Sequence, residues 1–399
     1  MAGAISSRSE IGTRGARSRL AVALLLASAI ALRPPLTAQS AGAVRSPAAA
    51  ARAPASLAPL SKEEFAERVA ALSEPGGYFD TDNLISNERS YLHAIDAFDA
   101  HGTRGGAFIG VGPDQAFSYI AHVRSEFAYL VDIRRDNLLQ HLFYKALFAA
   151  ARDRADYLAL WLGRPRPAAS LQWATLDIDA LLRQLDAAPA TPVSRTAARS
   201  AVHAELRRLS VPISDVDQAT IDRIHDTFMD AGLALQFTSF GRPPRPGYPT
   251  LRDLLRETNR AGTPASYLAH EAGFQYVKEL QRRNRVIPVV GDLSGTHALR
   301  AIGRDARARG LVVRMLYASN AEDYVMRDGG FARWVENVRA LPSDEYSLLV
   351  RSWFGWGGLA QSVPGYTSTQ LVQPVTTFLE VTRGGVWDYG TLVRTPHLP

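Results

Sequence analysis

The chain has no cysteine, only three lysines (Lys62, Lys145 and Lys278) and no apolar run long enough to span a bilayer. The first absence removes disulfides, thiolate zinc sites and a cysteine nucleophile together, and it is compatible with an oxidising compartment. The second makes the positive charge almost wholly arginine. The longest apolar run, Leu20–Leu32, falls short of the roughly 20 residues a transmembrane helix needs, so no permanent membrane span is expected. The sequence pI near 9.6 suggests a polyanion partner. However, the first 43 residues hold five arginines against one acid, and the remainder carries 40 basic and 38 acidic side chains. A nearly neutral body gives no electrostatic reason to expect nucleic acid.

Arg14, Arg17 and Arg19 precede the apolar run, and Pro34, Pro35 and small residues follow it. This order is that of a secretory signal peptide, residues 1–43, with cleavage after Ala38 or Ala43. An exported protein, periplasmic or secreted, is expected. A misassigned start codon ahead of a cytoplasmic domain is the alternative. Residues 44–60 are rich in alanine and proline and read as a tether, leaving 61–399 as one α/β domain.

A helix is expected after Ser61. Gly76–Asp80 then interrupts the periodicity ahead of the polar segment Asn83–His93. Gly106–Gly112 is a short apolar run closed by glycine and Pro113, as a buried parallel strand would be. Gln115–Val123 suits the following helix, and Phe127–Val131 a second strand ending in Asp132. Together these make a βαβ unit. Leu138, Leu142, Ala146 and Ala150 then mark a long amphipathic helix. Residues 165–248, broken at Pro165-Arg166-Pro167 and Pro243-Pro244-Arg245-Pro246, contain patches such as Ile221–Leu235 and read as a mainly helical insertion able to cap the sheet.

The α/β rhythm resumes with a helix from Thr263-Pro264, its buried stripe Leu268, Ala272, Tyr276 and Leu280. Strands are expected at Arg285–Val290, Leu311–Tyr317, Tyr346–Trp353 and Val375–Val381, with helices at Thr296–Ala308 and Ala321–Ala340. Six strands with helical crossovers favour one doubly wound, mostly parallel sheet.

In such a sheet ligands bind beyond the carboxyl ends of the strands. Gly110 and Gly112 let the backbone approach a ligand. Asp132 is able to accept from ribose hydroxyls and Asp292 from an exocyclic amine. Ser319-Asn320 ends the next strand, where a substrate meets a cofactor. A nicotinamide fingerprint needs glycine where Gln115 stands. A serine hydrolase needs a Gly-x-Ser-x-Gly turn, and none occurs. His270-Glu271 lacks the second histidine of a zinc hydrolase, so no metal is expected. Trp353, Phe354 and Trp356 read as core or sheet-edge packing.

The order of these features resembles the class I S-adenosylmethionine-dependent methyltransferases, with Gly106–Gly112 as the glycine-rich loop, Asp132 as the ribose acid and Gly291-Asp292 on the adenine side. The stretch Gly105–Leu139, with Ser86-Asn87-Glu88 and Ser319–Tyr324, is also similar to a little-characterised group of bacterial methyltransferase-like proteins. The resemblance implies a Rossmann-like methyltransferase-type sheet, an S-adenosylmethionine cofactor as small-molecule ligand, and an acceptor nucleophile, its identity open, near Asn320 and Tyr324. Glu88, Tyr91 and Ser319 would line the substrate side. Two departures accompany it. Pro113, Asp114 and Gln115 replace the usual further glycine, which puts Asp114 against the cofactor carboxylate, and the amino-methyltransferase pattern Asp/Asn-Pro-Pro-aromatic is missing. A non-catalytic envelope protein on a repurposed scaffold is the rival reading.

Overall fold

The computed structural model describes residues 57–168, 172–240, 245, 247–355, 358–385 and 388–399. The signal-peptide reading, most of the tether, Pro243, Pro244, Pro246 and Trp356 lie outside them. Residues Ala53–Pro399 form one compact unit.

Six strands make one sheet: β1 Ala107–Gly110, β2 Phe127–Asp132, β3 Val286–Val290, β4 Val313–Ser319, β5 Leu348–Trp353 and β6 Thr369–Pro374. Their order is β3-β2-β1-β4-β5-β6. The first five are mutually parallel, and β6 runs antiparallel to β5, pairing Leu348 with Pro374 and Trp353 with Thr369. The fold is therefore α/β with a mostly parallel sheet. Residues of β1 and β3 are buried throughout, which is why both read as unbroken apolar runs. Pro288 is tolerated inside β3 because that strand is an edge, where a missing N–H costs no ladder bond on the open side. Chain order reverses between β1 and β4, so the crevice above their carboxyl ends is where a ligand is accommodated.

Helix Lys62–Leu72 starts with a Ser61/Glu64 capping box. Helix Arg135–Ala150 packs beside β2 and β3 and receives the helices of the insertion, Pro192–Leu206 and Asp215–Ala231. Phe143 meets His225 at 4.9 Å, and Trp161 meets Phe228 at 4.9 Å. The insertion thus buries its apolar stripe on that long helix. Among the described residues no helix is long and apolar enough to cross a membrane.

Three expectations are corrected. Val375–Val381 is a helix, with Val375 and Phe378 on its buried face; the last strand is the preceding Thr369–Pro374. Its glutamines hide it from a hydropathy reading, because they are buried by hydrogen bonding: Gln373 takes Arg351 and donates to Pro396, and Gln370 donates to Glu88. The helix expected at Thr263 begins at Glu271, since Thr263 closes a turn with Asn259 through backbone and side chain. The helix expected over Ala321–Ala340 is two, Ala321–Arg327 and Phe331–Arg339. Gly329 breaks it at φ +70°, and a Cβ on Gly330 would lie 2.5 Å from Ser294 Oγ.

Candidate functional site

The carboxyl ends of β1 to β5 open into a cavity of about 600 Å³, within the usual range for small-ligand sites. Gly112, Asp132, Asp292, Glu88, Ser319, Asn320 and Tyr324 all line it. Gly110 and Tyr91 do not.

Gly110 ends β1 under the cavity floor; a Cβ there would strike the Phe108 ring at 2.4 Å and Tyr317 Cβ at 3.3 Å. Gly112 takes φ +88°, and a Cβ on it would meet Gln115 Nε2 at 2.7 Å. Its carbonyl accepts His141 Nε2 at 3.0 Å and Asn137 Nδ2 at 3.4 Å, which fastens the loop to helix Arg135–Ala150. Burial pushes His141 down to about 4, so the ring is neutral at pH 7 and its Nε2–H is the donor. Asp114 corrects the expectation of a repelling charge at the loop. It is buried away from the cavity, accepts from Tyr267 OH at 3.4 Å, and is pushed up to about 7 by desolvation.

Asp132 ends β2 and is held by its neighbour Arg134: the backbone N and Nε donate to Oδ1 at 2.8 and 3.0 Å, and Nη2 donates to Oδ2 at 2.8 Å. A carboxylate offers about four acceptor positions, so one remains on Oδ2. Arg134 Nη1 reaches the carbonyls of Thr81 and Asp82 at 2.6 and 2.8 Å. This ties down a strap, residues 73–84, that runs across the ends of β3 and β2. Glu74 N donates to Val290 O, and Gly77 N to Ile133 O. The far end of the strap meets the insertion in a bridge between Thr81 and Ser239. Asp292 Oδ1 accepts from the N and Oγ of Ser294 at 2.7 and 3.0 Å, forming an Asx turn that leaves Oδ2 outside these bonds.

On the β4 side Glu88 is 1% exposed. It accepts from Tyr317 OH at 2.6 Å, from Gln370 Nε2 at 3.0 Å and from Ser319 Oγ. Burial, and then Glu88 beside it, hold the Tyr317 phenol well above its ordinary range. Ser319 has φ +52° and Asn83 φ +49°; both line the cavity, and left-handed non-glycine residues gather where a site over-determines the backbone. Asn320 is the N-cap residue of helix Ala321–Arg327, yet its side chain makes no capping bond. Tyr324, one turn on, packs edge to face on Phe79 with centroids 4.8 Å apart.

Tyr91 belongs elsewhere: its hydroxyl donates to Leu254 O at 3.1 Å within the core. Trp353 and Phe354, expected as packing, form cavity wall, with Tyr389 6.0 Å from Trp353. The strap residues Tyr78–Thr81 were missed because they have no periodicity, and Gln115 because glutamine in a loop carries no signal. Among the described residues no cluster of histidine and carboxylate is arranged to hold a metal ion.

Residues 84–220 and 244–381 match the family described as Domain of unknown function (DUF7790). That is more than half of the chain, so the protein belongs to this family. No curated protein matches the chain.

Proposed function

We propose that this DUF7790 member is an S-adenosylmethionine-dependent methyltransferase built on a Rossmann-like, doubly wound sheet, acting on a small-molecule acceptor. One observation carries the reading: Gly112, Asp132, Asp292 and Ser319-Asn320, from four successive parallel strand ends, share one cavity above the point where strand order reverses. Strand ends of a parallel sheet share one level by construction; what supports the reading is that a glycine turn and two carboxylates stand at them beside the switch point.

The residues fit the cofactor. Gly112, without a Cβ and at positive φ, lets the main chain come close to the methionine portion. The open acceptor position on Asp132 Oδ2 would take a ribose hydroxyl, and Asp292 would take the adenine amine. When bound, S-adenosylmethionine supplies an electrophilic methyl, whose transfer to an acceptor lone pair leaves a neutral thioether and one proton for water. Asn320 and Tyr324 would hold the acceptor, with Glu88 and Ser319 lining the same cavity. Catalysis is then chiefly alignment and exclusion of water.

Isothermal titration of the purified chain with S-adenosylmethionine and S-adenosylhomocysteine tests this. Micromolar binding, lost in Asp132→Ala, is the expected result. A folded chain that binds neither ligand rejects it.

A second reading is favoured by the Arg134–Asp132 fork, which occupies three of the four acceptor positions on the ribose acid: a non-catalytic envelope protein using the same cavity for another ligand. Export through residues 1–43 is part of both proposals. Finding only unprocessed, full-length protein in the cytosolic fraction would overturn the export claim.

A further inference from the structure

Glu88 is a carboxylate that the fold buries without a cation. Its three partners are the neutral donors Tyr317, Ser319 and Gln370, and no arginine, lysine or histidine among the described residues forms an ion pair with it. Oε2 has two donors and Oε1 one, so an acceptor position stays open on Oε1. A second unmet acceptor lies nearby. Gln115 lines the same cavity at 5% exposure, its Nε2 donates to Tyr317 OH at 3.5 Å, and its Oε1 has no hydrogen-bond partner. The floor under β4 is therefore rich in acceptors and poor in donors.

The walls beside it are aromatic. Trp353 ends β5 one residue after Ser352, whose Oγ donates to Gln370 Oε1 at 3.1 Å while Gln370 Nε2 donates to Glu88. The indole, one residue on, leaves the opposite face of β5 and shares with Glu88 the cavity beyond the strand ends. Phe354 and Tyr389 continue this wall, and Tyr324 stands across from them on the next helix. Three arginines line the cavity: Arg327 pairs with Asp323, Arg333 Nε donates to Ser294 O at 2.9 Å on the β3 side, and the exposed Arg245 comes from the insertion.

We propose that the β4–β5 end of the cavity binds an amine carried on a flat apolar body, with its ammonium on Glu88 and its body against Trp353 and Phe354. Calling that amine the methyl acceptor rests on the methyltransferase reading, whereas its binding to Glu88 is a property of the chain by itself. An ammonium supplies the donors that Glu88 and Gln115 lack. Its charge is stabilised by a carboxylate in a low-dielectric floor, and the aromatic rings that line the same cavity add cation–π attraction to a cation they face. An anion in the same place would face Glu88 unscreened.

The test is calorimetric titration of the full chain at pH 7 with matched pairs of opposite charge: phenethylamine against phenylacetate, and tryptamine against indole-3-acetate. S-adenosylhomocysteine is titrated in parallel, and all ligands are repeated on Glu88→Gln and Trp353→Ala. The expected result is at least a hundredfold preference for each amine over its carboxylate. Amine affinity should fall at least tenfold in Glu88→Gln and several-fold in Trp353→Ala, with S-adenosylhomocysteine affinity unchanged in Glu88→Gln. Equal binding of amine and carboxylate, or no amine binding, overturns the proposal. So does a Glu88→Gln variant that loses S-adenosylhomocysteine but keeps the amine, since the carboxylate would then serve the cofactor's own ammonium. Amine binding through Glu88 without S-adenosylhomocysteine binding keeps the subsite and rejects the methyltransferase reading. If Glu88→Gln does not fold, the charge preference of the wild type and the Trp353→Ala result decide.

Discussion

Arg134 grips Asp132, two residues before it, with Nε and Nη2 at 3.0 and 2.8 Å, and with Nη1 it holds the carbonyls of Thr81 and Asp82 some fifty positions earlier. One guanidinium thereby fixes both the acid at the end of β2 and the strap that walls the cavity. Arg134→Met should release the strap, which presents Tyr78 at 77% exposure and Phe79 beside it. Chymotrypsin should cut after these aromatics several times faster in the variant, and affinity for S-adenosylhomocysteine should fall about tenfold, roughly 1.4 kcal/mol. Unaltered cleavage would mean that the bridge to Ser239 holds the strap without Arg134.

Gly112 is required by its backbone and by its surroundings at once. Alanine there faces a left-handed cost of about 1–2 kcal/mol and a Cβ 2.7 Å from Gln115 Nε2. Gly112→Ala should lower the unfolding midpoint by a few degrees and weaken adenosine-ligand binding more than tenfold. Gly262→Ala, also at positive φ but with nothing within 4 Å of its Cβ, should cost stability and leave binding alone. If both variants bind normally, the loop is structural only.

Much of this arrangement was legible in the sequence, and for a physical reason. Parallel strands buried on both faces must be apolar runs, and in such sheets the residue at each carboxyl end faces the ligand crevice, so Gly112, Asp132, Asp292 and Ser319 were found from strand ends alone. Three features escaped. Glutamines on both faces of β6 disguised it, because Gln370 and Gln373 are buried through hydrogen bonds and not through hydrophobicity. The strap has no regular structure to announce it. Asp114 was placed correctly along the chain but faces the wrong way for the expected repulsion, since spacing fixes a backbone position and only packing, here against Tyr267, fixes the side chain.

Asp114 makes stability depend on pH. Its folded value, near 7 through burial, lies above the ordinary carboxyl value near 3.9. The folded state therefore holds the proton more tightly, and stability falls as pH rises from about 4 to 7, by at most a few kcal/mol. His141 and His225, both pushed down to about 4, and His397, pushed down to about 3, act oppositely and lose stability as pH falls through 6.5. The comparison with Asp114→Asn isolates the carboxyl. The variant's urea midpoint should match or fall below that of the wild type at pH 5 and exceed it at pH 8. A gap that does not change with pH removes the buried proton.

Glu322 and Arg351 are both fully buried and paired, Nε to Oε2 at 2.5 Å. Glu322 Oε1 also accepts from Trp334 Nε1 at 2.9 Å, and Arg351 Nη1 reaches Gln373 Oε1 and His397 Nε2, each at 2.8 Å. Burial, and then the guanidinium, push His397 down to about 3, so its ring nitrogen is free to accept. Helix Ala321–Arg327, which carries Tyr324 into the cavity, is thus clamped to β5, β6 and the chain's last residues by one ion pair. Removing one partner leaves the other charged and buried, a loss of about 3–5 kcal/mol. Removing both leaves only the apolar misfit and the unmet bonds of Trp334, Gln373 and His397. Arg351→Met should therefore destabilise the chain more than the double variant Glu322→Leu/Arg351→Met does in urea unfolding. The double variant should still bind the cavity ligand more weakly than wild type, because the clamp on Tyr324's helix is gone. Additive losses in the two single variants and the double would show that the pair is not coupled, and the clamp would then have to be sought in the packing of Trp334 against Phe378.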